Sequence, residues 1–138
     1  MNIENIQEIY ALSPLQEGFL PETDFSQTEH CHQACYGVQG DLNIEHLQQT
    51  WQLVVDHYPL LRTCFVWKRV EQPLQIVQKH LKVTLETYDY RQLSETEQKT
   101  SIQQRLQNSL ETGLDPAKAP LVRLNLCQTG AISYQLLC

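Results

Sequence analysis

A mixed α/β sandwich, with helices packed against a largely antiparallel or mixed sheet, is the architecture these 138 residues predict. Three observations carry it. Two long stretches, 44–58 and 94–112, repeat their apolar residues at helical spacing. Around them lie short apolar and β-branched runs of strand length. The last two of these runs are split by a short Gly-containing turn, the pattern of a hairpin.

Each element has its own local reason. Leu12 to Leu20 predicts a short helix: Ser13 can cap it, Pro14 fits the first helical position, and Gln16 supplies the third position of a capping box. Residues 31–39 read as a strand, and Gly40-Asp41-Leu42-Asn43 then turns into a helix over 44–58 with Asn43 as its cap. Ile44, Leu47, Trp51, Val54 and Tyr58 form one apolar stripe on it, which marks them as core. Glu45, Gln49, Gln52 and Asp56 fall on the opposite face, toward water. Pro59 stops the helix, and Leu61 to Trp67 follows as a strand. Leu74 to Gln78 and Val83 to Tyr88 are two more short strands. The helix over 94–112 opens on a Ser94–Glu97 capping box, repeats Ile102, Leu106 and Leu110, and ends at Gly113. Leu121 to Cys127 and Ile132 to Cys138 are the terminal strands, joined at Gln128-Thr129-Gly130-Ala131. No internal repeat, low-complexity tract or linker interrupts them, so the chain is one domain or part of one.

Composition narrows the function. With 41% hydrophobic and 19% charged residues the chain has the balance of a globular protein rather than a disordered one. Its net charge of -6, with the basic residues scattered and only Lys68-Arg69 adjacent, argues against nucleic acid. The N-terminal residues lack the pattern of a secretory signal, and no run approaches the ~20 apolar residues of a membrane span. Five cysteines at irregular spacing do not make a disulfide framework, so reduced thiols and a cytoplasmic location are expected. No Gly-rich phosphate loop implies a nucleotide.

Two local clusters invite chemistry. His30, Cys31, His32 and Cys35 offer four soft-metal ligands in six residues, but a strand points the histidines to one face and the cysteines to the other. No metal is expected there. Cys64 and His57 stand seven residues apart with no oxyanion turn and no orienting third group, so Cys64 reads as a small core residue.

Three segments together resemble the condensation domains of non-ribosomal peptide synthetases, which share the chloramphenicol acetyltransferase-like fold. Ile9-Tyr10-Ala11-Leu12-Ser13-Pro14-Leu15-Gln16-Glu17-Gly18-Phe19-Leu20 is similar to the family's opening Leu-Ser-Pro-Leu-Gln-x-Gly-Met-Leu. His57-Tyr58-Pro59-Leu60-Leu61-Arg62-Thr63-Cys64-Phe65 is similar to Arg-His-x-x-Leu-Arg-Thr-x-Phe. Leu114-Asp115-Pro116 through Pro120-Leu121-Val122-Arg123 resembles a Phe-Asp-Leu segment followed by Pro-Leu-x-Arg. The departures are Pro21 directly after Leu20 with a short path onward, His57-Tyr58-Pro59 in place of Arg-His-x, and Gly113-Leu114-Asp115 in place of Phe-Asp-Leu.

The resemblance implies that residues 1–138 are the N-terminal lobe of such a domain, cut before the family's His-His-x-x-x-Asp-Gly motif. It implies a parent that joins carrier-tethered aminoacyl or peptidyl thioesters by amide bonds in secondary-metabolite biosynthesis. None of His30, His32, His46, His57 and His80 inherits the catalytic role, so the chain alone is expected to be inactive. Arg62 is implied as active-site support, pairing with the aspartate of the absent motif. Ser13, Gln16 and Gly18 are implied along the substrate channel. The chain itself is expected to bind no cofactor, the phosphopantetheine arm being delivered by carrier domains. Its expected partners are those carrier domains and the second lobe, with self-association through an exposed sheet edge when that lobe is absent. The competing reading is a non-enzymatic module that docks carriers or complements a separate lobe.

Overall fold

The computed structural model describes residues 3–18 and 31–138. Among the described residues, seven strands lie in two sheets. Strands β1 (Ile6–Ala11), β3 (Thr63–Val66) and β4 (Leu74–Gln78) form a three-stranded antiparallel sheet with β4 in the middle. Strands β2 (Cys35–Gln39), β5 (Leu85–Asp89), β6 (Leu124–Gln128) and β7 (Ser133–Leu137) form the second sheet, in the order β2-β7-β6-β5. Only β5 and β6 run parallel, and the helix α3 (Glu95–Thr112) is the crossover that such a pair requires. The expected mixed sheet is therefore present, divided in two.

The core lies between the second sheet and helix α2 (Ile44–His57). Val55, Val83, Leu85, Leu124, Leu126 and Tyr134 make its buried centre, with Ile44, Leu47 and Trp51 packed against it. Alternation along β6 sends Leu124 and Leu126 toward α2 and leaves Asn125 and Cys127 on the face that α3 covers. The apolar stripe of α2 is rotated from its sequence expectation. Val55 is its one buried residue, while Tyr58, expected in the core, is 55% exposed because the helix has ended before it.

Two glutamines of α2 do more than meet water. Gln52, expected on the solvent face, donates from Nε2 to the Leu81 carbonyl, and the Val83 amide donates to its Oε1. One turn earlier, Gln48 repeats the pattern with the Val83 carbonyl and the Leu85 amide. Each side-chain amide thus imitates a neighbouring strand, and together they fasten residues 81–85 to the helix.

Local signals placed most termini well. Asn43 caps α2 by accepting from the His46 amide, and Ser94 and Glu97 close a full capping box on α3. Gly113 ends α3 at φ 61°, a conformation that costs other residues a steric clash. Helix α1 (Pro14–Gly18) starts at Ser13 as expected, and residues 19–20 of its expected span lie outside the described residues. Strand β1 went unforeseen. It is an edge strand, exposed from Gln7 to Ala11, so burial wrote no alternating pattern into it. β2 is shorter than the expected 31–39, although paired Ala34 and Cys138 backbone bonds extend its ladder with β7 by one step. None of the described helices is long and apolar enough to cross a membrane.

Candidate functional site

Pro59 breaks α2, and the chain makes one short turn, Pro59–Arg62, before entering β3. That turn tucks Arg62 beneath the end of the helix it has just left, where it is only 4% exposed. Four hydrogen bonds hold its guanidinium there. Nη1 donates to the Val55 and Asp56 carbonyls in the last turn of α2, Nε to the Gln78 carbonyl of β4 (2.9 Å), and Nη2 to Gln7 Oε1 of β1 (3.0 Å). Among the described residues no carboxylate pairs with it. The negative end of the helix dipole and three converging carbonyls satisfy the charge instead. Arg62 is therefore not a solvent-facing strand residue. It is a joint between α2 and two strands of the smaller sheet.

Gln7 is the part of this joint that the sequence did not announce. It lies at the irregular step in β1 between Ile6 and Glu8, where the register against β4 shifts. A bulge re-aims a side chain, and here the side chain reaches Arg62.

Arg123 repeats the arrangement. Pro120-Leu121-Val122-Arg123 follows α3 as Pro59-Leu60-Leu61-Arg62 follows α2. Arg123 Nη1 donates to the Ser109 carbonyl and hydroxyl and Nη2 to the Gly113 carbonyl (2.9 Å). The recurrence of Pro-Leu-x-Arg after both long helices was the signal that could have found it.

The other singled-out residues are placed as follows. Ser13 and Gln16 close a capping box on α1, and Gln16 Nε2 donates to Gln75 Oε1 on β4. Gly18 ends α1 with open space beside its Cα. These residues sit at the Ala11/Leu74 end of the β1–β4 ladder, whereas Arg62 sits at its Ile6/Gln78 end. The Gln16 contact at Gln75 and the Arg62 contact at Gln78 are thus three strand residues apart, roughly 10 Å. It does unite two other motifs. The Phe65 amide of β3 donates to the Pro116 carbonyl (2.8 Å), so the segment after α3 lies along the strand that follows Arg62. Asp115 holds that segment's turn by accepting from the Ala117 amide and pairing with Lys118, whose ammonium keeps the Asp115 carboxyl below the usual range.

Cys64 is fully buried in β3, and His57 is exposed and packs edge-on against Tyr58. His30 lies outside the described residues; Cys31 is half-buried, while His32 and Cys35 are exposed at the start of β2. Burial also pushes up the thiol of Cys127, which is fully enclosed on the α3 side of β6.

Comparison with known proteins gives one consistent answer. The family model described as Condensation domain matches residues 6–138. Gramicidin S synthase 2 of Brevibacillus brevis is 33% identical over 136 residues, covering 97% of this chain but 3% of that protein. Tyrocidine synthase 2 of Brevibacillus parabrevis is 32% identical over 136 residues, covering 97% and 4% respectively. The chain therefore spans only a small part of the length of these relatives. The starter condensation domain of rhizomide synthetase superposes with a TM-score of 0.78 at 13% identity, over 95% of this chain and 33% of that one. A four-domain nonribosomal peptide synthetase bound to AMP and glycine gives 0.79 at 16% identity, over 96% and 10%. At such identities the structures establish a shared fold, while the family model and the synthases carry the kinship.

Proposed function

This chain belongs to the condensation-domain family, and we propose that residues 1–138 act as its N-terminal supporting lobe in amide-bond formation between carrier-tethered substrates. In that reaction an amine on one carrier attacks the acyl thioester on another. The new C–N bond forms as the C–S bond breaks, and the thiol leaves on its own phosphopantetheine arm. The proton lost by the amine needs a base near neutral pKa. The family's His-His-x-x-x-Asp-Gly motif is not among these 138 residues, and none of their histidines takes the part of that base. The lobe's contribution is mechanical and electrostatic: it holds the framework on which that motif is mounted.

The observation that carries this reading is the buried Arg62 joint. A cation fixed at four places is a rigid platform for an incoming carboxylate, and only the Gln7 contact is to a side chain that can swing aside. Ser13, Gln16 and Gly18, at the far end of β4, are assigned to the channel wall. Carrier domains bring the phosphopantetheine arm, the chain holds no cofactor of its own, and it works in the cytoplasm.

A chimera tests the reading. Residues 6–138 replace the matching segment of gramicidin S synthase 2, and dipeptide release from loaded carriers is followed alongside circular dichroism. A folded chimera is expected to form the amide, and Arg62→Met within it to abolish product while the fold remains. A folded chimera without product would overturn the proposal. Activity unchanged by Arg62→Met would remove Arg62 from it.

A further inference from the structure

Helix α3 does not seal the sheet beneath it. Although it is the longest helix described, none of its residues is fully buried, and a cleft remains between it and β5 and β6. Asn125 forms the floor. It is only 5% exposed, at the centre of the sheet, and its side-chain amide makes no hydrogen bond among the described residues. Its amide is not sealed off but opens on the cleft, where a group entering from solvent can reach it.

Two cations line the same cleft. Arg105 sits over the Tyr88 ring, its guanidinium carbon 3.3 Å from the ring centroid, and its Nε donates to the Tyr90 hydroxyl (3.1 Å). That grip holds the guanidinium in place but leaves both terminal nitrogens without an acceptor among the described residues. Arg123 adds its charge from the end of α3, where its nitrogens are already used on Ser109 and Gly113. The one carboxylate in the lining, Glu86, already accepts from the Tyr88 hydroxyl (2.5 Å). The cleft is thus net positive in a chain of net charge -6.

We propose that this cleft is an oxyanion site, taking a phosphate or carboxylate group between the terminal nitrogens of Arg105 and the amide of Asn125. Donors that line one cleft with no acceptor of their own favour an acceptor-rich anion, and a fork-shaped guanidinium binds either group bidentately. A cation would be repelled, and an apolar group would leave three donors dry.

The test is a titration of the 138-residue chain followed by NMR on the Asn125 side-chain amide and Arg105 Nε. Inorganic phosphate and acetate are added separately, with ionic strength held constant by chloride. Saturable shifts are expected at both groups. Saturation by phosphate alone points to a phosphate ester, and saturation by acetate as well points to a carboxylate. Arg105→Gln should weaken binding about tenfold or more, as loss of a charged hydrogen bond implies. Gln104→Glu, an exposed change on the cleft's α3 rim, should weaken it several-fold without touching the core. Shifts that stay linear and match chloride, or saturable shifts that both variants leave unchanged, would overturn the site. The readout needs no condensation activity, so it stands or falls apart from the proposed function.

Discussion

Without the Arg62 guanidinium, three backbone carbonyls (Val55, Asp56 and Gln78) would lose their donor at once in a place water reaches poorly. Each charged hydrogen bond contributes about 1.5–3 kcal/mol, but the bonds are not additive. Arg62→Met is therefore expected to lower unfolding free energy by about 3 kcal/mol in urea denaturation. Arg62→Lys should lose less, because an ammonium can keep the helix-end contacts but not the reach to Gln7. At the surface the scale is different. Asp89 accepts from the backbone and guanidinium of Arg91, which hold its carboxyl down to about 2. The usual aspartate value is about 3.9, so the pair favours the folded state at neutral pH, and that gain fades as pH falls from about 4 through 2. Both side chains are about half exposed, so water and salt screen the pair. Carboxyl NMR should find the Asp89 midpoint near 2, and Asp89→Asn should change stability little at pH 7 and abolish only this acid-range slope.

Among the elements, α2 has an unusual second task in pairing Gln48 and Gln52 with the backbone of residues 81–85. Amide hydrogen exchange can separate the two. Gln52→Ala should raise exchange at the Val83 amide and spare Leu85, and Gln48→Ala should do the reverse, each costing about 1 kcal/mol. Equal exchange at both sites in either variant would show that the pairing does not protect them. This pairing was invisible in the sequence because it joins residues about 30 apart through side chains whose helical position reads as polar surface. The caps were legible for the opposite reason. Asn43, Ser94 with Glu97, and Gly113 each act within a few residues, and the residue type alone states the geometry. The candidate site divides the same way. Arg62 stood out only through its motif; its backbone partners lie in α2 and β4, and its one side-chain partner, Gln7, comes from β1, an edge strand without a periodic signature. Asn125 and Arg105 could not have been joined in advance, since nothing in a strand run or a helix face shows where the two meet.

On the scale of the whole molecule, Cys64 lies in the three-stranded sheet and Cys127 in the four-stranded one, both fully buried. If the sheets open together, an excess of a thiol reagent should label the two at the same rate, equal to global unfolding. Earlier labelling of Cys64, read by mass spectrometry, would show that the smaller sheet opens by itself. The way the larger sheet is closed has a further consequence, for the order of events at the ribosome. Among the described residues, strand β2 bonds within its sheet to β7 alone, Cys35 facing Leu137 across about 100 residues of chain. At about 5–20 residues per second, β2 leaves the ribosome roughly 5–20 s before its partner has been made. Through that interval Tyr36 and Val38 wait for β7, which on emerging also meets β6, its neighbour in sequence. The sheet is completed when its newest strand arrives, and synthesis speed sets how long the oldest strand stays available to the wrong neighbour.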